Sequence, residues 1–238
     1  MIVVGMDRAE RFIVWAGGAV FVASLVVCAW WYLLVLGRSG LGLRAAWLEH
    51  LAIDAGLFAV FAVHHTLFAR DAVKRAVKAL VPDRLLRSSY VWVASLLLIA
   101  ACVAWQPIGG TVYAFDGAAA IPFIAIELAG IWLIARSVRA IDPLELAGIR
   151  GGRASAGEAS LQIGGPYAVV RHPLYLGWVL AVFAHPHLTG DRLAFAVIST
   201  VYLLAAVPFE ERSLADSFGG AYEDYRRRVR WRVIPFVY

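Results

Sequence analysis

Residues 12–36 read FIVWAGGAVFVASLVVCAWWYLLVL, a run of 25 residues without a charged side chain. A helix rises ~1.5 Å per residue and needs about 20 apolar residues to cross ~30 Å of hydrocarbon, so this run predicts a transmembrane helix. It is longer than the ~7 to 15 residues of a signal-peptide core, and no small-residue cleavage site follows it. We therefore expect the segment to stay in the protein as its first membrane span.

Four further runs are apolar and nearly uncharged: 47–68, 88–108, 118–135 and 193–209. The whole chain is 61% hydrophobic and 16% charged, against about 45 to 50% and about 25% in soluble domains. A sixth run, 174–188, has 15 residues and begins after Pro173; as a helix it covers only ~22 Å. The sequence therefore predicts an all-α polytopic integral membrane protein with about six transmembrane helices.

The basic residues predict how these helices are oriented. If the chain crosses the bilayer six times, 19 of its 22 lysines and arginines lie on the side of the N-terminus. Basic loops stay in the cytoplasm, so we expect both termini to be cytoplasmic in a bacterial-type plasma membrane. The net charge of +5 then reflects topology, and nucleic acid is not an expected partner. Cys28 and Cys102 lie inside apolar runs, so we expect neither a disulfide framework nor a metal site.

Ionisable residues cluster where the last two apolar runs begin and end. The runs 174–188 and 193–209 predict an antiparallel helical hairpin, and its cytoplasmic mouth would carry Arg171, His172, Glu210 and Glu211. Ionisable side chains at a membrane edge are costly unless they are paired or hydrated, so this group is a candidate site. The alternative is a salt bridge that only holds the hairpin together.

Two polar segments flank the hairpin. Residues 148–165 contain six glycines and no periodicity, which predicts a flexible cytoplasmic loop that could act as a lid. In the C-terminal region the aromatic spacing of Phe218, Tyr222 and Tyr225 predicts a cytoplasmic amphipathic tail of one or two short helices on the membrane surface.

Two motifs in this region carry a family resemblance. Residues 171–177 read R-H-P-x-Y-x-G, and residues 210–225 read E-E-x-x-L-x-x-x-F-G-x-x-Y-x-x-Y. Together they resemble the C-terminal half of membrane methyltransferases that use S-adenosylmethionine, among them isoprenylcysteine carboxyl methyltransferases and bacterial phospholipid methyltransferases. The resemblance implies a cofactor-binding core over 141–238 behind four N-terminal spans in 1–140. The implied cofactor pocket consists of Tyr167, Arg171, His172, Pro173, Tyr175, Gly177, Glu210, Glu211, Tyr222 and Tyr225.

Three segments in the N-terminal part of the chain resemble one particular branch of these methyltransferases. The segments H-H-T-L-F-A-R at 64–70, R-S-S-Y-V at 87–91 and I-D-P-L-E-L-A-G-I-R at 141–150 resemble the bacterial methanethiol S-methyltransferases, a branch close to NnrU-like membrane proteins. This resemblance implies a small thiol, methanethiol or hydrogen sulfide, as the methyl acceptor. The chain departs from that branch at Leu86, where an acidic residue is usual, and at 185–189, where the usual Thr-Pro-x-Met-Thr is replaced by His-Pro-His-Leu-Thr.

Thiol methylation requires that the thiol lose its proton, because the thiolate is the nucleophile. The transfer itself is a displacement that needs no metal, and positioning and a dry pocket are the enzyme's main contributions. The candidate catalytic residues are His172, Asp142, Arg171 and His65, the last beside His64. Asp142 precedes a proline and could instead be a helix cap or turn residue, and either adjacent histidine could simply lie at the interface.

Other functions share the same sequence features. One alternative keeps the cofactor and changes the acceptor to a phospholipid amine or an isoprenylcysteine-like carboxylate. Another is an NADPH-dependent membrane reductase, because membrane sterol reductases have a related C-terminal architecture. A last alternative is a non-catalytic membrane protein of the NnrU type.

Overall fold

The computed structural model describes residues 6–38, 42–68, 71–139, 144, 147–149 and 161–238. This part of the chain is helical apart from one two-stranded sheet, and it contains five helices long and apolar enough to cross a membrane. The prediction of an all-α polytopic membrane protein is confirmed.

The chain forms two compact units, one of 1–38, 44–108 and 141–154 and another of 39–43, 109–140 and 155–238. The functional division at residue 140 stays a prediction.

The first unit is built on three long helices. Helix α1 (Arg8–Trp30) continues into a π-helical turn (Trp31–Val35), and α2 (Trp47–Phe68) is followed by a short α3 (Asp71–Lys78) and by α4 (Asp83–Ala104). A capping box between Asp7 and Glu10 begins α1 by satisfying its first N–H groups. Helix α4 packs against both α1 and α2.

In the second unit a sheet joins two helices that are distant in sequence. Strand β1 (Thr111–Ala114), a 3-10 turn (Gly117–Ala120) and α5 (Ile121–Val138) come first. A 3-10 turn (Gly165–Ala168), α6 (Pro173–Phe183), β2 (His187–Thr189), α7 (Gly190–Phe218) and α8 (Gly220–Arg228) follow. The two strands are antiparallel, with Thr111 opposite Thr189 and Ala114 opposite His187.

Helices α5 and α6 pack at two glycines. A Cβ added at Gly130 would lie 2.6 Å from the carbonyl oxygen of Gly177, and one added at Gly177 would lie 2.8 Å from that of Gly130. Small residues at such a crossing allow two membrane helices to approach backbone to backbone. The crossing fixes α6, and therefore the residues at its N-terminus, against the long helix α5.

The expected helix over 174–188 is wrong for its last five residues, 184–188. Helix α6 ends at Phe183 after 11 residues, and His187–Thr189 is a strand. Pro186 has no N–H and restricts the residue before it to an extended conformation, so the helix cannot continue through this segment. An extended chain rises about twice as far per residue as a helix, so helix and strand together reach the level at which α5 begins. Two hydrogen bonds join this segment to the residues before α5. The Tyr113 hydroxyl donates to the Phe183 carbonyl at 2.8 Å, and the Phe115 N–H donates to the Pro186 carbonyl at 2.9 Å.

Two other segments also differ from the sequence prediction, one in where its helix ends and the other in which surface its aromatic face contacts. The run 88–108 ends as a helix at Ala104, four residues early. Gln106 N–H donates to the Asp54 carboxylate at 2.8 Å, so the residues after α4 are tied to α2. The short helix expected in the tail is present as α8, but its aromatic stripe faces the protein, because Tyr222 and Tyr225 pack with Leu214 and Phe218 in a buried cluster.

Candidate active site

Arg171 is the most extensively bonded side chain of the hairpin mouth. Its Nε donates to Glu211 Oε1 at 2.7 Å, and its Nη1 donates to the carbonyls of Val229 and Arg230, both at 2.8 Å. The planar guanidinium presents several donors in a fixed geometry, which suits three acceptors on two different segments. Arg171 therefore joins the end of α7 to the chain that follows α8.

Glu211 is the buried anion of the site, with 6% of its side chain exposed. Besides Arg171 it contacts Arg232, whose Nε lies 3.2 Å from Glu211 Oε2. Two guanidinium groups thus share one carboxylate. A buried carboxylate is stable only with such partners, so the site depends on both arginines.

His172 lies between the two glutamates of α7. Its Nδ1 is 3.4 Å from Glu210 Oε2, and its Nε2 is 3.5 Å from Glu211 Oε1. Burial lowers the pKa of His172, but the nearby carboxylates of Glu210 and Glu211 outweigh burial, so the pKa is raised above its usual value. The two carboxylates therefore favour the protonated form of the imidazole.

Glu210 is the open member of the group. Its side chain is 46% exposed, and the Tyr175 hydroxyl donates to it. The Tyr175 ring stacks on the His172 ring, with 5.4 Å between the centroids and 15° between the planes. The carboxylate is held on one side and accessible on the other, as a group that binds a ligand must be.

The C-terminal segment closes over this mouth through its backbone. Arg171 N–H donates to the Trp231 carbonyl at 2.9 Å, and His172 N–H donates to the Arg232 carbonyl at 2.7 Å. Nearby, the Tyr225 hydroxyl donates to the Tyr167 carbonyl at 2.8 Å. The fully buried Tyr222 hydroxyl makes no hydrogen bond within the described chain, and burial raises the pKa of Tyr222 to about 12.

Comparison with known proteins gives the family. The chain is 39% identical over 189 residues to methanethiol S-methyltransferase 2 of Bradyrhizobium diazoefficiens, covering 76% of this chain and 72% of that protein. It is 36% identical over 193 residues to methanethiol S-methyltransferase of Crocosphaera subtropica, covering 79% and 75%. It is also 34% identical over 167 residues to Nurim of Xenopus laevis, covering 64% and 58%. No family model and no solved structure matches the chain.

The chain belongs to the methanethiol S-methyltransferase family. The family resemblance drawn from the sequence motifs is thereby confirmed, and the reductase and the non-catalytic alternatives are not favoured. In this member of the family, five of the implied cofactor residues are in mutual contact: Arg171, His172, Tyr175, Glu210 and Glu211.

The remaining implied pocket residues surround that group. Tyr167, Tyr222 and Tyr225 lie beside it, and Pro173 is the first residue of α6. Gly177 lies one turn further along α6 and packs against Gly130. The structure therefore gives Gly177 a packing role, and its part in a cofactor pocket stays a prediction.

The other two expected catalytic residues of this methyltransferase are not among the contacts of the hairpin mouth described above. Asp142 falls outside the described residues. His65 belongs to the first unit, where the Tyr90 hydroxyl is hydrogen-bonded to its Nδ1. Its neighbour His64 stacks on the Tyr90 ring, with 5.5 Å between the centroids. The histidine pair is therefore organised around one tyrosine.

Sequence reasoning did not identify the role of the residues after α8. Arg232 pairs with the buried carboxylate, and residues 229–232 supply four backbone carbonyls to Arg171 and His172. The basic stretch around Arg230 and Arg232 was the only visible signal. Backbone acceptors leave no trace in side-chain identity, so these four contacts could not be predicted from the sequence.

Proposed function

We propose that this protein transfers a methyl group from S-adenosylmethionine to methanethiol and releases dimethyl sulfide. The observation that carries the proposal is the 39% identity to a methanethiol S-methyltransferase over about three quarters of both chains. The hairpin mouth is the proposed cofactor site, because it combines buried cations, a buried carboxylate and one open carboxylate.

The reaction is balanced without a metal or an oxidant. S-adenosylmethionine supplies a methyl group bonded to a positively charged sulfur. The thiolate sulfur of methanethiol forms a new bond to that carbon as the carbon–sulfonium bond breaks, and both electrons of the broken bond stay on the departing sulfur. The thiol proton leaves before the transfer.

The residues at the mouth suit a ligand that carries amino, carboxylate and hydroxyl groups. The half-exposed Glu210 offers an acceptor for an ammonium or hydroxyl group. His172 Nε2 is buried and makes no hydrogen bond within the described chain, its contact with Glu211 being a long one of 3.5 Å. A buried polar atom without a hydrogen bond is costly, and a bound ligand would remove that cost.

The charge of the site affects how readily the thiol reacts with the methyl donor. A thiolate and a sulfonium combine to give neutral products, so a dry, low-dielectric site favours the reaction. Because the carboxylates of Glu210 and Glu211 raise its pKa and lie 3.4 and 3.5 Å from its ring nitrogens, we propose that His172 supplies positive charge at the site rather than the base. Arg171 adds to the same positive potential, and Asp142 and His65 remain the proposed bases.

We propose that the mouth and both termini face the cytoplasm of a bacterial plasma membrane. The support is the unequal distribution of basic residues, 19 against three across six crossings. S-adenosylmethionine is made in the cytoplasm, so this orientation gives the site direct access to it.

The activity is tested with purified full-length protein in lipid nanodiscs. Gas chromatography of the headspace should detect dimethyl sulfide when S-adenosylmethionine and methanethiol are both present. Hydrogen sulfide, a phospholipid amine and a farnesylated cysteine serve as competing acceptors. Methylation of one of these without dimethyl sulfide formation would contradict the proposed acceptor.

The cofactor site is tested separately with Glu210→Gln. This change removes the open charge at nearly constant size, and calorimetry should show at least about tenfold weaker S-adenosylhomocysteine binding, as expected for loss of a charged hydrogen bond. Asp216→Asn is the matched control, because Asp216 is exposed on the same helix. If Glu210→Gln and Asp216→Asn bind S-adenosylhomocysteine equally well, Glu210 is not part of the cofactor site.

A further inference from the structure

A cavity lined almost entirely by arginines lies beside the hairpin mouth. Its volume is about 400 Å³, and its lining residues are Arg171, Glu223, Arg226, Arg227, Arg230 and Arg232. Four of the five arginines belong to α8 or to the four residues that follow it. Such a concentration of guanidinium groups favours an anionic ligand, above all one with phosphate oxygens.

The local carboxylates leave part of this charge uncompensated. Arg171 and Arg232 share Glu211, and Arg226 pairs with Glu223 at 3.2 Å. Arg227 has only a contact of 3.5 Å with an exposed aspartate, and within the described chain no carboxylate lies within ion-pair distance of Arg230. Two exposed guanidinium groups therefore remain available to a ligand at the cavity.

The cavity lies where the chain leaves the membrane. Helix α7 has 29 residues and is ~43 Å long, more than the ~30 Å of a hydrocarbon core. Helix α8 begins two residues after α7 ends, so its arginines follow a membrane span directly. The apolar run 193–209 of α7 ends two residues before Glu211, which pairs with Arg171 and Arg232 of the cavity lining, so we expect the cavity near the membrane edge.

An exposed apolar pair follows the last of these arginines. Phe236 is 85% exposed and Val237 is 75% exposed. Phe236 has a φ of 66°, and among the described residues it is the one non-glycine with a positive φ. A left-handed conformation is unfavourable for an aromatic residue, so the backbone of Phe236 is held there by its surroundings. The Phe236 ring lies beside that of Trp231, with 5.3 Å between the centroids.

These observations together point to a lipid. We propose that the arginine-lined cavity binds the phosphate of an anionic glycerophospholipid head group, and that Phe236 and Val237 contact the adjacent membrane interface. Basic side chains beside an apolar anchor are the combination by which proteins recognise anionic membrane surfaces. The backbone bonds of Trp231 and Arg232 to Arg171 and His172 connect this surface rigidly to the hairpin mouth.

The experiment uses the full-length protein in a neutral detergent with soluble short-chain lipids. Dihexanoyl phosphatidylglycerol should bind and raise the melting temperature, whereas dihexanoyl phosphatidylcholine at the same concentration should not. Each basic side chain contributes about fivefold in affinity at an anionic surface, so the triple change Arg226→Gln, Arg227→Gln and Arg230→Gln should weaken phosphatidylglycerol binding roughly 100-fold. The control is Arg136→Gln with Arg139→Gln, two exposed arginines at the end of α5 that do not line the cavity.

A second variant tests the apolar contact. Phe236→Asn removes the ring and retains a residue that tolerates a positive φ. It should weaken the binding of dihexanoyl phosphatidylglycerol while leaving inorganic phosphate binding unchanged. Asn at this position therefore separates the apolar contact from the phosphate contact.

Four outcomes would overturn the proposal. They are equal binding of the two lipids, unchanged phosphatidylglycerol affinity in the triple variant, unchanged phosphatidylglycerol affinity in Phe236→Asn, and inorganic phosphate that protects as well as the lipid. The last would identify a soluble-anion site. S-adenosylhomocysteine is added in a parallel measurement, and competition between it and the lipid would assign the cavity to the cofactor.

Discussion

Arg171 shows how much of the site depends on a single side-chain geometry. The guanidinium donates to Glu211 and to two carbonyls of the C-terminal segment. Arg171→Lys keeps the charge but supplies one compact ammonium, which cannot reach all three acceptors. We expect the variant to lose about 1–3 kcal/mol of unfolding free energy, because at least one buried acceptor is left unpaired.

The measurement for Arg171→Lys is denaturant unfolding in detergent, followed by tryptophan fluorescence. Arg212→Lys, an exposed position on α7, is the control and should be neutral. If both variants unfold at the same denaturant concentration, the carbonyl contacts of Arg171 do not contribute to stability.

The pH dependence of stability should reflect His172. The pKa of His172 is raised, since the carboxylates of Glu210 and Glu211 outweigh burial, so its contribution is present below about pH 6.5 and is lost as the pH rises through the raised value.

The contribution of His172 is tested by substitution. His172→Gln should flatten the stability profile above about pH 6.5. Melting temperatures between pH 4 and pH 9 check this. An unchanged alkaline limb in His172→Gln would mean that its contacts with the two glutamates do not hold the proton.

At the level of elements, the α5–α6 crossing limits what the hairpin tolerates. An alanine at Gly177 would place its Cβ within 3.0 Å of atoms of Gly130 and Ile134, two of them backbone. The helices must then separate, and we expect Gly177→Ala to cost about 1–3 kcal/mol. Gly56→Ala in α2, where nothing lies within 4 Å, is the matched control. Thermal unfolding of the two variants should differ, and equal stability would mean that the crossing adapts without cost.

The elements also show where sequence reasoning succeeds. The length of the apolar runs predicts the five long helices, because crossing hydrocarbon demands a fixed number of apolar residues. The shorter segment 174–188 is apolar as far as residue 184 and then reads His-Pro-His-Leu, and so short an apolar run has no periodicity that separates a helix from a strand. Its pairing with β1 depends on residues more than 70 positions earlier, and such a partner cannot be identified from a local pattern.

The candidate site can likewise be predicted from the sequence in one part and not in another. The pairing of Arg171 and His172 with Glu210 and Glu211 follows from charges at the two ends of one hairpin, and the contacts are present. The buried stripe of Tyr222 and Tyr225 was expected on the membrane surface. Helical spacing indicates that a helix has an apolar face, but it does not say whether protein or lipid covers that face.

For the whole molecule, the topology follows from the sixth crossing. If α6 and β2 together complete a crossing, the chain crosses an even number of times and both ends lie in the cytoplasm. Fluorescent and phosphatase reporters fused after Tyr238 should report a cytoplasmic C-terminus, and a phosphatase inserted near Asp116 should report a periplasmic loop. A periplasmic C-terminus would contradict both the crossing and the proposed cytoplasmic site.

The contacts of Arg171 with the C-terminal segment also constrain how the protein is assembled during synthesis. Arg171 and Glu211 leave the ribosome before residues 229–232, whose carbonyls are the other acceptors of the site. Arg171 and His172 can therefore complete their native bonding only when the last ten residues of the chain are available to them. A chain truncated before Val229 would keep both helices of the hairpin but would lack the acceptors that complete the site.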